Sequence, residues 1–523
     1  MIFRGPYENV TIPEVPLTSF VLQRAAELGN KAALIDGPTG RIVTYAKLAE
    51  SIRRVAAGLA AHGFVKGEVF GILSSNIPEY AIAFHGVALL GGIITPINPL
   101  YTEREIAHQL KDAGAKFLVT GPQFIDKARV AAEAAQIEEL FVFGEGEGAT
   151  AFASLLESNG DVPAVEIDPR SDLVVLPYSS GTTGLPKGVM LTHQNLVANI
   201  CQMEGLEFFT ERDTLIAVLP LFHIYGLVVI LNMGLATGVT IVTMPRFELE
   251  HFLRALQDYG VTMAHIVPPI VLALSKNPVV DSYDLSKLQS IFCGAAPLGA
   301  ALTQAFTDRI KCNVRQGYGM TETSPVTHSS PADPRQVKFG SVGVCAPNTE
   351  CKIVDLETGA PLGPNKQGEI CVRGPQVMKG YLNQPEATAR TIDGEGWLHT
   401  GDVGYADQDG HFFIVDRAKE LIKYKGFQVA PAELEAILLT HPAIADAAVI
   451  PCPDEEAGEV PKAYLVLKDE VSAEAIKEFI AARVAPFKKI RYVEFIDKIP
   501  KSASGKILRR VLIEQDGKAR EDK

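Results

Sequence analysis

Through the first two thirds of the chain, short wholly apolar runs alternate with longer stretches whose apolar residues recur at helical spacing. These two patterns mark strands covered on both faces and amphipathic helices. Leu48, Ile52, Val55 and Leu59 keep the helical period, Glu68 to Leu73 reads as a strand, Pro78 opens a helix at its first turn, and Gly92 to Pro96 returns as a strand. Thr102 with Glu105 is a capping-box signature for the next helix, and Lys116 to Thr120 is the strand after it. A second set follows a strand at Leu173 to Leu176. It runs through an apolar helix, a strand at Thr240 to Met244, a helix at Leu249 to Tyr259 and strands at Met263 to Val267 and Ser290 to Cys293. Strands alternating with helices predict two stacked α/β lobes with mostly parallel sheets.

From about Val342 the texture changes to short strands between Gly and Pro turns, CKIVD, GEICVRG and GHFFIVD, which predicts an appended β-rich subdomain. A further α+β pattern then begins: helix Pro431 to Leu439, strands Ala447 to Ile450 and Ala463 to Leu467, helix Ser472 to Val484 and strand Arg491 to Phe495. The fold class expected is therefore α/β, with a large N-terminal domain over 1–418 and a small mobile α+β C-terminal domain over 419–523. Between Asp213 and Arg246 there is no charge except what His223 carries, but Pro220, Asn232 and Pro245 interrupt the segment. A buried helix followed by a buried strand fits better than a membrane span of about 20 clean apolar residues.

One polar stretch stands apart. Residues 176 to 188, LPYSSGTTGLPKG, follow a strand and carry hydroxyls, glycines and Lys187 with no acidic residue. Backbone N–H groups freed by glycine, hydroxyl donors and one full positive charge suit an anion, polyphosphate above all. The Walker A spacing is absent, because Pro186 and Lys187 stand where Gly-Lys would be needed. A net charge of −13 argues against nucleic acid as a partner, and the seven cysteines lack any CxxC pair. That usage suits a reducing compartment, with Cys345 and Cys351 able to pair in principle but better read as buried thiols. The N-terminus lacks the apolar core of a signal peptide and the C-terminus carries no peroxisomal address, so a cytoplasmic protein acting on small molecules is expected.

Further stretches concentrate chemistry in a fixed order: PLFHIYG around His223, GAAPLG from Gly294, QGYGMTETSP from Gln316 to Pro325, TGD ending at Asp402, and KSASGK ending at Lys506. Taken singly each has a bland reading; His223 could be a core residue and TGD a turn. Together, behind YSSGTTGLPKG, they resemble the acyl-adenylate-forming superfamily over nearly the whole chain, from about Pro16 to Lys506. VDRAKELIKYKGFQVAPAELE and SGKILRR look closest to the 4-coumarate:CoA ligases.

The resemblance implies an acid:CoA ligase that uses ATP, Mg²⁺ and CoA, acting on a hydroxycinnamate or related aryl acid. A medium- or long-chain fatty acyl-CoA ligase, or a luciferase-like or carrier-protein adenylating enzyme, remains open at this point. It would give Glu322 the metal and Thr321 the α-phosphate, with Ser179, Ser180, Gly181, Thr182, Thr183 and Lys187 around the outer phosphates. Ala295, Gln316, Gly317 and Tyr318 would surround adenine and the adjoining acyl group, and Asp402 with Arg417 would bind the ribose. Tyr225, Val229, Gly294, Gly319, Pro325 and Val326, with Lys419 and Lys423, would serve the acyl group. His223 would lie where the thiol arrives, with Arg246, Lys425 and Gly426 along the CoA path. Lys506 would act in adenylate formation, Lys423 would belong to the catalytic set, and a hinge near Lys419 would let the two faces of the small domain alternate.

Overall fold

The computed structural model describes residues 1–521 apart from 180–185, 207–208, 297, 426, 455 and 503–504, with the side chains of 519–521 left aside. Two nine-stranded sheets form the large domain. In the first, Ile93–Pro96, Val69–Leu73, Ala115–Thr120 and Glu139–Val142 run parallel. Every residue of Val69–Leu73 is buried, because helices cover both faces. The covering helices follow from local sequence. Thr44 caps Tyr45–Ala61 through the Lys47 N–H, Pro78 begins Pro78–Leu89, and Thr102 with Glu105 closes a full capping box on Glu103–Ala113.

The second sheet is also parallel at its centre, in the order Asn313–Gly319, Ser290–Cys293, Met263–Ile266, Thr214–Ala217, Thr240–Thr243. It is finished by residues from far upstream, since Ala32–Asp36 pairs parallel to Thr240–Thr243 and Ile42–Thr44 closes the edge. The lobes therefore do not divide the chain into consecutive halves. One continuous apolar core joins them, running from Leu17, Tyr45 and Leu48 to Leu196, Ile230 and Ile266.

The apolar segment after Asp213 holds strand Thr214–Ala217, the buried helical run Tyr225–Asn232 and Met233–Thr237, and strand Thr240–Thr243. Among the described residues no helix is long and apolar enough to cross a membrane. Tyr225–Asn232 is wound as a π-helix, a form that clusters at functional sites. A Cβ on Gly226 would stand 2.2 Å from the Pro220 carbonyl oxygen, so that glycine lets the helix start lie against the preceding loop.

The β-rich subdomain is a five-stranded antiparallel sheet in the order Phe3–Arg4, Glu350–Val354, Gly368–Arg373, Leu398–Ala406, Phe412–Arg417. Two details differ from the sequence reading. The sheet recruits the N-terminus as its edge, and the TGD tripeptide, whose bland reading was a turn, lies inside strand Leu398–Ala406. Gly401 there takes φ 71°, and the strand pairing is irregular beside it, so one strand bends locally without ending. The small domain has its own core of Ile422, Val429, Leu434, Leu438, Ile444 and Leu465. Its strands Ile444–Asp454 and Gly458–Leu467 are longer than the periodicity indicates, and a final helix, Arg509–Glu521, packs on the first of them.

Candidate active site

The parallel strands of the second sheet end, at Gly294 and Gly319, on a cavity of about 650 Å³. The carboxyl ends of such strands are where an open α/β sheet leaves a crevice. The first sheet contributes the hairpin Tyr178–Ser179 with Lys187–Thr192, the β-rich sheet contributes Thr400, Gly401 and Arg417, and the small domain contributes Ser502 and Lys506.

At the end of Asn313–Gly319 the chain makes a tight turn through Thr321–Thr323, whose Thr323 hydroxyl donates to the Pro325 carbonyl at 2.6 Å. The turn brings Glu322, 4% exposed, to the cavity wall, where its carboxylate accepts from the Tyr381 hydroxyl at 2.9 Å. Burial, reinforced by the Glu322 charge, raises the Tyr381 phenol, so it stays a donor. Lys187 lies over the same ring, 4.8 Å from its centroid, at the start of its strand rather than within a loop. A cation, a phenol and a carboxylate are thereby stacked on one wall. A single carboxylate completed by phosphate oxygens is a donor set Mg²⁺ accepts, so Glu322 fits the expected metal.

Asp402 stands directly behind the wall, accepting from the Tyr318 hydroxyl at 2.6 Å and facing Arg417 Nε at 3.3 Å. Burial, with the Asp402 charge beside it, holds the Tyr318 phenol far above its ordinary value, so that hydrogen bond keeps its direction. Glu369 fixes this corner by accepting from the Gly401 N–H at 3.0 Å and facing His399 Nδ1 at 2.9 Å. Opposite, Lys506 projects from a turn closed by Ser502 Oγ, which accepts the Lys506 N–H at 3.1 Å. Burial, then the nearby Arg417 charge, push the Lys506 ammonium down to about 8. His223 is pushed down to about 4 by burial and by the charge on Lys506, so the imidazole is neutral. Its Nδ1 accepts from the Tyr225 N–H at 3.3 Å, which leaves Nε2 as the N–H donor.

The apolar end of the cavity is lined by Tyr225, Phe292, Gly294, Gly319, Pro325 and Val326. The Tyr225 hydroxyl is held by His265 Nδ1 at 3.2 Å and the Phe292 carbonyl at 3.3 Å. A Cβ on Gly319 would stand 1.9 Å from the Pro325 carbonyl oxygen, so backbone itself forms that wall. Ala295 beside it takes φ 68°, a left-handed conformation that a non-glycine residue adopts only under constraint.

Of the positions expected from sequence, Ser179, Lys187, His223, Tyr225, Gly294, Ala295, Gly317, Tyr318, Gly319, Thr321, Glu322, Pro325, Val326, Arg417, Lys419 and Lys506 line this one cavity. Ser180, Gly181, Thr182, Thr183 and Gly426 lie outside the described residues. The structure does not bring the others to the wall. Val229 is fully buried. Its side chain is taken up by the apolar core that joins the two lobes and is not among those lining the cavity, against the expectation that it serves the acyl group. Gln316 is buried, with its N–H on Ser330 Oγ at 3.0 Å. Arg246 is exposed and paired with Glu248. Lys423 is exposed, and Lys425 faces Glu456 at 3.6 Å. Sequence reasoning missed Tyr381 and Phe292, since a Gly-Tyr pair and a strand phenylalanine carry no spacing that signals a site.

The AMP-binding enzyme family matches residues 21–382, and the AMP-binding enzyme C-terminal domain matches residues 433–506. A 4-coumarate–CoA ligase of Petroselinum crispum is 47% identical over 98% of this chain and 96% of its own length. A 4-coumarate–CoA ligase of Pinus taeda is 48% identical over 98% and 97%. Among solved structures, an anthranilate CoA ligase in complex with anthranoyl-AMP superposes with TM-score 0.90 at 27% identity, covering 97% of this chain and 98% of that one. The o-succinylbenzoate CoA synthetase of Bacillus subtilis, in complex with its acyl-adenylate intermediate, gives TM-score 0.83 at 32% identity, covering 96% and 98%.

Proposed function

We propose, for a chain that belongs to the AMP-binding enzyme family, that it is an ATP-dependent acid:CoA ligase whose acid is a hydroxycinnamate or a closely related aryl acid. The observation that carries this reading is the meeting of Lys506 with Lys187, Thr321, Glu322, Arg417 and His223 around one cavity whose far end is aromatic. A carboxylate resists attack by a thiol because its leaving group would be oxide. Joined to the α-phosphate of ATP with release of diphosphate, it acquires AMP as a good leaving group.

In the first half-reaction two anions must approach. Lys506 holds a positive charge where carboxylate and α-phosphate meet, and Thr321 donates to the phosphate. Mg²⁺ held at Glu322 would neutralise phosphate charge during this step. Lys187 steadies the outer phosphates, while Asp402 and Arg417 orient the ribose. In the second half-reaction the CoA thiol attacks the acyl carbon and AMP departs, with the neutral His223 at the thiol's approach.

The aryl reading rests on the names of the relatives and on the Tyr225–Phe292 end of the cavity, where a planar acid slides between a ring and the backbone at Gly294 and Gly319. Residues 1–418 and 419–523 serve as the two domains, hinged near Lys419. Lys506 is inside the cavity while Lys425 faces solvent, the arrangement expected when the adenylating face is engaged. The setting proposed is the cytoplasm, in keeping with seven buried free cysteines.

AMP release measured with 4-coumarate, cinnamate, benzoate, octanoate and palmitate, with and without CoA, tests the function. Turnover confined to the aryl acids and dependent on CoA is expected. Turnover on the fatty acids alone, or undiminished by omission of CoA, would overturn it. A pH profile tests Lys506 separately. Because kcat/KM reports the free enzyme, diphosphate–ATP exchange should fall as pH rises through about 8, where Lys506 loses its proton. In Lys506→Arg the alkaline limb should disappear, since a guanidinium stays charged there, whatever its absolute rate. An unchanged limb in that variant would remove Lys506 from the assignment.

A further inference from the structure

We propose that His328, Cys345 and Cys351 form a binding site for Zn²⁺ at the joint between the second large sheet and the β-rich sheet. The three residues come from three strands, Val326–Ser329, Val344–Cys345 and Glu350–Val354. All are buried, and their ligand atoms lie within 4.8 Å of one another. His328 Nε2 is 3.5 Å from Cys345 Sγ and 3.4 Å from Cys351 Sγ. A zinc ion bonded to sulfur and imidazole nitrogen at its ordinary bond lengths holds those atoms about 3.6 Å apart, so the donors are already spaced as ligands.

Hydrogen bonding orients the imidazole. The Thr327 hydroxyl donates to the Tyr318 carbonyl at 3.2 Å, so its oxygen is left as the acceptor for His328 Nδ1–H at 2.9 Å. That places the Nε2 lone pair between the two sulfurs, the tautomer a metal-ligating histidine needs. Charge favours the same occupant. Binding follows two thiols plus M²⁺ giving a bis-thiolate complex and two protons, and two thiolates cancel a divalent charge that would otherwise be costly to bury. The Phe412 ring, 4.2 Å from that of His328, walls the site against a hydrated ion, and its sulfur and imidazole donors suit a softer cation.

The other thiol–imidazole group behaves differently. His399 in the Glu369–Cys371–His399 cluster turns Nδ1 to Glu369 and Nε2 to Asp393 at 3.5 Å, while Glu369 also holds Gly401. Those groups are committed to the strand that carries Asp402, so Cys371 serves as the control. A cation on His328 would cross-link the strand beneath Tyr318, whose ring lies 5.7 Å from that of His328, to the β-rich sheet.

The test uses the reduced full-length chain, stripped with a chelator and kept in excess Mg²⁺, titrated with Zn²⁺ against a chromophoric chelator. One equivalent should bind with release of two protons. Pulse alkylation in sub-denaturing urea, read by mass spectrometry, should show Zn²⁺ protecting Cys345 and Cys351 but not Cys371. Cys345→Ser and Cys351→Ser should each weaken binding at least ~10-fold, and Cys371→Ser should leave it unchanged. If either serine variant fails to fold, the labelling of the unmodified chain decides. Unchanged labelling of Cys345 and Cys351, equal protection of Cys371, or a Cys345–Cys351 disulfide in the isolated protein in place of metal would each overturn the site.

Discussion

Lys506→Ala is expected to slow adenylate formation by roughly 10²- to 10³-fold, about 3–4 kcal/mol of transition-state stabilisation, while thioester formation from supplied acyl-adenylate stays nearly unchanged. The asymmetry follows from what the ammonium faces. It enters the cavity from the small domain, beside Arg417 and His223, at a depth where burial already lowers its affinity for a proton. A buried cation that resists charging in the empty site becomes favourable when carboxylate and α-phosphate bring negative charge to it, and only the first half-reaction does so. Diphosphate–ATP exchange with the acid present reports that step alone and is measured beside thioester production. Equal loss in the two assays would mean that the side chain supports the fold of its loop and not the chemistry.

The second large effect is expected at Arg509, three residues beyond Lys506 in the chain. Its guanidinium grips both oxygens of Glu435 at 2.8 and 2.7 Å, bonds Glu420 and donates from Nε to the Val449 carbonyl at 3.2 Å. Glu435 accepts in addition from the Val449 N–H at 2.8 Å. The group is almost sealed, with side-chain exposures of 10% for Arg509, 9% for Glu435 and 22% for Glu420. Removing the cation leaves a buried carboxylate without its partner, so Arg509→Ala should destabilise the small domain by about 3–5 kcal/mol. Because Glu420 adjoins the proposed hinge residue Lys419, adenylation should fall with it as the Lys506 loop loses its tether.

Replacing both partners separates the electrostatic account from a packing account. Arg509→Met with Glu435→Leu should recover most of the lost stability, since no uncompensated charge remains. Hydrogen exchange along Ile444–Asp454 and Gly458–Leu467 measures this within the small domain. A single variant as stable as the parent, or a double variant no better than the single, would overturn the account.

Val229, expected among the residues that serve the acyl group, is buried inside the large-domain core, and the neighbouring Gly226 lies against the Pro220 carbonyl. Specificity therefore has to be sought at Tyr225, Phe292 and Val326.

Local sequence by itself determined the elements and singled out many of the residues that the fold brings to one cavity. Thr44, Pro78 and the Thr102–Glu105 pair start helices because capping is settled within one turn. Short apolar-rich runs such as Ser290–Cys293 become central parallel strands because only a doubly covered sheet can hold them. His223, Thr321, Glu322, Arg417 and Lys506 stood out as candidates because those residues sit in short, biased stretches. Tertiary structure alone decided what no window of neighbours encodes. The return of Ala32–Asp36 to edge the second sheet, and of Phe3–Arg4 to edge the β-rich sheet, depends on pairing across hundreds of residues. The seating of Tyr381 against Glu322 and Lys187, and of His328 between two sulfurs, likewise joins groups that are distant in the chain or on separate strands. Such contacts form only once apolar burial has fixed the sheets against one another, since each is too weak to bring its own strands together.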